Sequence, residues 1–380
     1  MCIGGDDQPL IFTSVTNLPL VIQWTLPVLF LDGGRARAET LLAIQGAGPG
    51  YVRRHLPAVH AALGTSSPGV ASLDELIRKA EEAVSTSRPT RKRQHVISQG
   101  VLRRFVEDIP PGGRQLVRFD LAAGKAKLTG TNGVGYVDNF VPVDSQATED
   151  LWQQVETRLP QATDAALNGM ALASPAHRQT LRHAVALHFA RNPQTLTIHN
   201  QSFADAIQDW VERSARTPLA ARAFRLRYGL EPAGPEALRL GAEAVQERLI
   251  KLHNEGGLFR LSVQRLFEMV CDRFDARGIQ ILTPASASKE FLLGDLPAVT
   301  VARATGTAGL GEGVTVDQAD EILMPLAPGL LIVVGPPDGA RSVPDNEVDA
   351  HNELQARVAQ AYLVHRPGVS FAASITAWRS

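Results

Sequence analysis

The sequence has little cysteine: Cys2 and Cys271 are its only two, and they lie far apart in the chain. Two such residues cannot build the disulfide framework of a small secreted domain, so a reducing, cytoplasmic setting is expected. Net charge is equally scarce, at −1 from 38 basic and 39 acidic residues. That balance excludes a generic polyanion-coating protein. Lysine is rare, with six residues against 32 arginines. Together with abundant alanine and glycine, this reads first as GC-rich bacterial codon use. Selection for bidentate anion contacts is the functional alternative. The hydrophobic share of 44% and charged share of 20% exclude a disordered or collagen-like chain.

Charge is missing altogether from Gln8 to Leu31, whose core reads LPLVIQWTLPVLFL. The length suits a bilayer span. However, Pro9, Pro19 and Pro27 interrupt it, and Thr13, Ser14, Thr16, Asn17, Gln23 and Thr25 dilute it. Asp6 and Asp7 stand where a signal peptide would carry positive charge. Short buried strands are the expectation here, with no membrane anchor.

The common catalytic signatures are also absent. TGTAGLGEG at 305–313 lacks both the Gly-Lys-Ser/Thr ending of a phosphate loop and the spacing of a dinucleotide loop, and it reads as a hairpin turn. There is no HExxH, no CxxC pair and no GxSxG. Cys271 falls on the apolar face of a helix, which suits packing better than nucleophilic chemistry.

What is present is an α+β pattern. A chain of 380 residues is comfortable for two domains. Residues 1–90 form an N-terminal region of unassigned role, closed by a helix that Ser72-Leu-Asp-Glu75 caps and that runs to about Val84. The basic run at 88–93 reads as an exposed linker or turn. Residues 91–380 form a second domain, in three parts at 91–147, 148–278 and 279–380. In the first part, helical QGVLRRFVED, the IPPGG turn and alternating runs from Gln115 to Pro142 predict a β-meander. The middle is helical: Leu151, Val155 and Leu159 share a face beside Trp152, Ser174-Pro175 opens a helix, and Gly256-Gly257 ends one. After Gly278, IQILT, KEFLL, AVTVA, EILMPL and LLIVVG predict a small, mostly antiparallel sheet, followed by a late helix from about Asn346 to Val364.

Two segments carry chemistry. Arg178 and His183 lie five apart on one predicted helix, an Arg-x4-His spacing that can pair a proton carrier with a phosphate-stabilising cation. Chance spacing on a solvated face is the plainer reading. The second segment is Arg91-Lys-Arg-Gln-His95-Val-Ile-Ser-Gln99-Gly-Val-Leu102-Arg103-Arg-Phe105. It resembles the opening motif of the bacterial domain-of-unknown-function family four-two-three-eight, K-x-x-H-Y-V-P-Q-x-Y-L-R-x-F. Val96-Ile97-Ser98 replaces the usual Tyr-Val-Pro, which removes the rigidity of a proline. Softer likenesses follow in order: the alternating stretch after Arg114, the helix of Leu151 to Glu156, and His188-Phe-Ala-Arg191-Asn-Pro193. Phe291-Leu-Leu-Gly-Asp295-Leu-Pro297, Met324-Pro-Leu-Ala-Pro328 and Asn352 complete the series, covering roughly residues 91–370.

The resemblance implies a role in bacterial defence against phage. It points to His95, Gln99, Glu156 and Asp295 as catalytic candidates, with Arg103, Arg191 and Asn352 on the substrate side. His95, Gln99 and Arg103 lie four apart and would share a helix face. Such a set suits acid–base or metal-assisted hydrolysis of a phosphodiester, with a divalent metal left open as cofactor. It also suits a non-enzymatic module that recognises nucleic acid, a nucleotide or a phage protein. A structural role stays open too: Asp295 as a turn cap, Glu156 in an ion pair with Arg103 or Arg191, and His95 as a satisfied core residue.

Overall fold

The computed structural model describes residues 73–86, 93–143 and 146–379, with no side-chain detail at 74, 146–149 and 151. The uncharged run Gln8–Leu31, the cap at Ser72 and residues 88–92 of the basic run lie outside the described residues. The chain divides into two compact units, one of residues 1–79 with 201–251 and the other of 80–200 with 252–380. No described helix is long and apolar enough to cross a membrane.

The described part of the first unit is helical. It takes in the start of α1 (Leu73–Ser85), the end of α5 (Pro193–Gln208), α6 (Trp210–Ser214), α7 (Pro218–Tyr228) and most of α8 (Pro235–Asn254). Pro218 opens α7 at its first turn, and Gly229 closes it in the left-handed region. Trp210 is buried and donates from Nε1 to the Ala242 carbonyl at 3.2 Å, while Gln246 donates to the carbonyl of Ile207 at 2.9 Å. Helices α7 and α8 cross closely where residue 241 is glycine. A Cβ there would lie 1.9 Å from the Ala220 carbonyl oxygen.

The second unit holds every described strand. Its helices include α2 (Gln99–Leu102), α3 (Gln146–Leu167), α4 (Pro175–Ala190), the start of α5 and α9 (Gly257–Asp275), with two more towards the end of the chain. Ser174 caps α4 by accepting from the His177 amide, with Pro175 at the first helical position. Helix α4 is buried continuously from Ala184 to Ala190, as an all-round apolar helix must be, and packs against α3 and α9. Val155, Leu159 and Trp152 of α3 are buried, and Cys271 packs in α9 with its thiol pKa pushed up by burial. His199 of α5 is also buried, and neither ring nitrogen has a hydrogen-bond partner. Its ring stacks on His253 at 5.4 Å and meets Phe259 edge-on at 5.2 Å.

Three sheets surround these helices among the described residues. A two-stranded pair joins β1 (Arg93–His95) to β5 (Tyr136–Asp138). The predicted meander is present as β2 (Glu107–Ile109), β3 (Gly113–Asp120) and β4 (Lys125–Thr129). It is not closed on itself. β3 also pairs with β13 (Tyr362–His365), which pairs in turn with β7 (Leu293–Gly294). The third sheet runs β12-β6-β11-β10-β8-β9. Its strands are β6 (Gly278–Pro284), β8 (Val299–Ala302), β9 (Thr307–Ala308), β10 (Glu321–Ala327), β11 (Leu330–Gly335) and β12 (Gly339–Val343). All its pairs are antiparallel except that of β12 with β6. β10 and β11 are apolar on both faces and lie centrally, as continuous runs do when both faces are covered. Pro325 is tolerated inside β10 because the ladder shifts register there and the β8 pairing has already ended at Leu323. The Gly-rich stretch 305–313 begins in the β8–β9 hairpin turn and continues through β9 into a 3-10 turn at Leu310–Glu312.

The architecture is α+β, with a helical middle and sheets on both sides. Helix α10 (Asp345–Val358) lies between two cores. Val348, Leu354 and Val358 pack with Phe291, Val299 and Leu331 on the six-stranded side. Ala356 packs with Phe119, Leu363 and, from α11 (Ala372–Arg379), Ile375. Two buried amides on α10 satisfy the backbone of the FLLGDLP segment. Asn352 accepts from the Leu292 amide at 2.7 Å and donates to the Glu290 carbonyl at 2.8 Å. Gln355 accepts from Gly294 at 3.0 Å and donates to Pro297 at 3.1 Å. Replacing Asn352 by Leu strands one buried donor and one buried acceptor, each costing about 1–3 kcal/mol. The expected outcome is a loss of about 3 kcal/mol, read as a lower urea midpoint at unchanged slope.

Candidate functional site

The site starts at a bend. β1 ends at His95, which lies opposite Tyr136 in the two-stranded pair. The amides of Val96 and Ile97 then both donate to the Gly135 carbonyl, at 2.8 and 3.1 Å. Gly135 has a φ of 72°, and a Cβ on it would meet Leu102 at 2.8 Å and Ile97 at 3.1 Å, so the bend requires glycine there. Ser98 follows, and Gln99 opens the four-residue α2. The Gln99 side chain folds back: Nε2 lies 3.0 Å from Nδ1 and 3.3 Å from Nε2 of His95, and donates to the Thr131 carbonyl at 3.2 Å. An amide N–H directed at a ring nitrogen needs a lone pair there, which favours neutral imidazole.

Helices α3 and α4 supply the rest. Glu156 of α3 accepts on Oε1 from the Ser98 hydroxyl at 2.8 Å and from Arg191 Nη1 at 2.6 Å. Its Oε2 has no hydrogen bond from any described residue, and the side chain stays 34% exposed. Arg191, the cap of α4, also donates to the His95 carbonyl at 3.4 Å and lies 4.2 Å over the Trp152 ring. His188 is fully enclosed. Its Nδ1 is paired with the Ala184 carbonyl at 2.7 Å, and its Nε2 accepts from the Ser98 amide at 3.0 Å. That pattern fixes the neutral Nδ1–H tautomer. On the outer side, Tyr136 meets His95 edge-on at 6.5 Å, and exposed Arg93 lies 4.3 Å over the Tyr136 ring.

The electrostatics follow from these contacts. Burial lowers the pKa of His95, against a Gly135 backbone hydrogen bond and the Glu156 charge, which raise it. Burial pushes the Glu156 carboxyl up, but the Arg191 guanidinium and the Ser98 hydroxyl outweigh it and hold that carboxyl below the usual range. Burial takes His188 down to about 4. At neutral pH the group is therefore a neutral, half-buried His95 beside an ionised Glu156.

Of the seven residues singled out in the sequence, four come together: His95, Gln99, Glu156 and Arg191. Arg103 does not share a face with His95 and Gln99, because His95 is on a strand and α2 ends at Leu102; Arg103 is exposed. Asn352 is taken up by the Leu292 and Glu290 backbone. Asp295 accepts the amides of Gln360 at 2.9 Å and Ala361 at 2.7 Å, one on each oxygen, and donates its own amide to the Tyr362 carbonyl at 3.1 Å. None of its hydrogen bonds reaches the His95 group. Its link to that group is indirect, since the Tyr362 hydroxyl accepts from the Gly135 amide at 2.8 Å. Arg178 pairs with Asp338 at 3.4 Å and His183 with Asp275 at 3.2 Å, so each is balanced locally. Ser98, His188 and Trp152 belong to the site without having been singled out for it. The signal for His188 lay inside the HFARNP element itself. Among the described residues, no three His, Cys, Asp or Glu side chains converge as metal ligands.

The fold and this group define an α+β protein with one conjoined His–Gln–Glu–Arg cluster built on a strand-to-helix bend. The family model described as "Protein of unknown function (DUF4238)" matches residues 93–368, and the chain belongs to that family. No curated protein and no solved structure matches it.

Proposed function

We propose that the chain is a bacterial defence-associated hydrolase whose His95 group cleaves a phosphodiester by acid–base chemistry. The observation that carries this reading is the neutral, half-exposed His95 imidazole, held by Gln99 next to an ionised Glu156. In the proposed step His95 takes a proton from the attacking water as its oxygen bonds to phosphorus, and the imidazolium returns that proton to the leaving oxygen. Exposed Arg93, lying on Tyr136, is the cation proposed to meet the phosphate. Arg191 is assigned to orienting Glu156. Nucleic acid is the proposed substrate class, and a divalent metal enters as a variable of the assay.

The non-enzymatic reading draws support from a different observation. Glu156 Oε1, Arg191, Asp295 and Asn352 spend their hydrogen bonds inside the protein. A module that only binds a phage component would use His95, Gln99 and exposed Arg93 alone. One experiment separates the two. Phage protection and cleavage of labelled single-stranded RNA and DNA are measured with and without Mg²⁺ or Mn²⁺, for the parent and His95→Gln. Loss of a positioned acid–base group lowers the cleavage rate about 10²–10⁴-fold. A folded His95→Gln with full cleavage sinks the assignment, and protection without any cleavage selects the binding reading.

A further inference from the structure

The position before Gln99 is proline in the family pattern that this chain resembles, and here it is Ser98. Proline has no N–H and no hydroxyl. Ser98 has both, and both are used: the amide donates to His188 Nε2 at 3.0 Å, and the hydroxyl donates to Glu156 Oε1 at 2.8 Å. Ser98 has a φ of −58°, a value proline itself adopts, so the backbone did not force the exchange. Burial of His188 is complete, and its other nitrogen is anchored one helical turn back at Ala184. The imidazole is thus a rigid acceptor, fixed in α4, for the one amide between the His95 bend and α2.

We infer that His188 is a positioning residue, which holds Ser98 so that Glu156 and His95 keep their mutual geometry in place of the rigidity a proline would give. The inference rests on the proposed role of His95, but its test does not require hydrolysis. Holding Ser98 sets its hydroxyl against Glu156 and keeps the neighbouring His95 half-buried. Without the acceptor, the Ser98 amide must find another partner, and the bend relaxes towards solvent.

The test is the titration of His95, followed by NMR on the full-length chain carrying ¹³Cε1-labelled histidine, with His95→Gln assigning the signal. In the parent, His95 titrates below the ordinary histidine value. In His188→Leu its midpoint is expected to rise towards that value. In His188→Gln, whose side-chain oxygen restores an acceptor, the midpoint is expected to return. Ser98→Pro supplies rigidity itself at a φ proline adopts, so in that background His188→Leu is expected to leave the midpoint where Ser98→Pro alone puts it. This double variant carries the reading if His188→Leu alone fails to fold. A folded His188→Leu with the parent's His95 midpoint overturns the inference, and so does a double variant whose midpoint differs from that of Ser98→Pro alone. A shifted midpoint in a chain that cleaves nothing keeps the positioning role and removes the hydrolytic one.

Discussion

Between pH 6 and pH 4 the chain is expected to lose about 5 kcal/mol of stability, because two buried histidines resist protonation. Burial holds His188 near 4, and burial with help from the adjacent His253 holds His199 near 3. In the unfolded chain both titrate near the ordinary value of about 6.5. Above that value neither state binds the protons and nothing is lost. Below it the unfolded chain takes up two protons that the folded chain refuses, so stability falls with acid. The loss ends for each group at its folded value. Each histidine contributes a slope of about 1.4 kcal/mol per pH unit, or about 2.7 together. A loss of about 5 kcal/mol is comparable to the whole stability of many domains. Urea midpoints across this range measure it. His199 makes no hydrogen bond from either nitrogen, so His199→Leu forfeits none at neutral pH and should lower the slope by about 1.4 kcal/mol per pH unit. An unchanged slope in that variant would show that His199 is not one of the two groups.

The second large effect belongs to Arg191. Its side chain is 6% exposed, and it neutralises Glu156 at 2.6 Å while covering Trp152. Removing one partner of a buried pair costs about 3–5 kcal/mol, because the other charge is left without compensation. Glu156 keeps a third of its side chain in water, so the lower end applies and Arg191→Met is expected to cost about 3 kcal/mol. Adding Glu156→Gln removes the stranded charge and should recover much of that loss. A double-mutant cycle by chemical denaturation measures the coupling. Strict additivity would mean that Arg191 stabilises the protein through Trp152 and its packing alone. The His95 titration should rise in the single variant as well, since the Arg191 charge lowers it.

Much of the fold is legible in the sequence where local chemistry decides. Ser174-Pro175 starts α4, the break at Gly256-Gly257 separates α8 from α9, and the apolar runs EILMPL and LLIVVG become the central strands of the large sheet. Where distant residues decide, local pattern gives a different answer. QGVLRRFVED reads as one helix, but helical structure ends at Leu102 and the segment continues into β2, which pairs with β3. The late helix reads as reaching Val364, but it stops at Val358. Asp295 takes the amides of Gln360 and Ala361, and Tyr362–His365 leaves as a strand towards β3. In the site, the motif leads to His95, Gln99, Glu156 and Arg191. A spacing of four suggests that Arg103 joins His95 and Gln99, which would hold only on a continuous helix. Ser98 reads as a missing proline. Its two hydrogen bonds come from helices 58 and 90 residues away, beyond the reach of any local pattern.

The link from Asp295 through Tyr362 to Gly135 has a consequence for synthesis. The His95 bend hangs on the Gly135 carbonyl, and the Gly135 amide hangs on the hydroxyl of Tyr362, which lies on the last described strand. A ribosome makes His95 long before it makes Tyr362, and chains fold from the N-terminus as they emerge. The nascent chain therefore carries the imidazole without this partner of its loop until Tyr362 is made. A product cut short before Tyr362 contains His95, Gln99, Glu156 and Arg191 but lacks the hydroxyl that takes the Gly135 amide. Synthesis as far as Tyr362 is the condition for that contact.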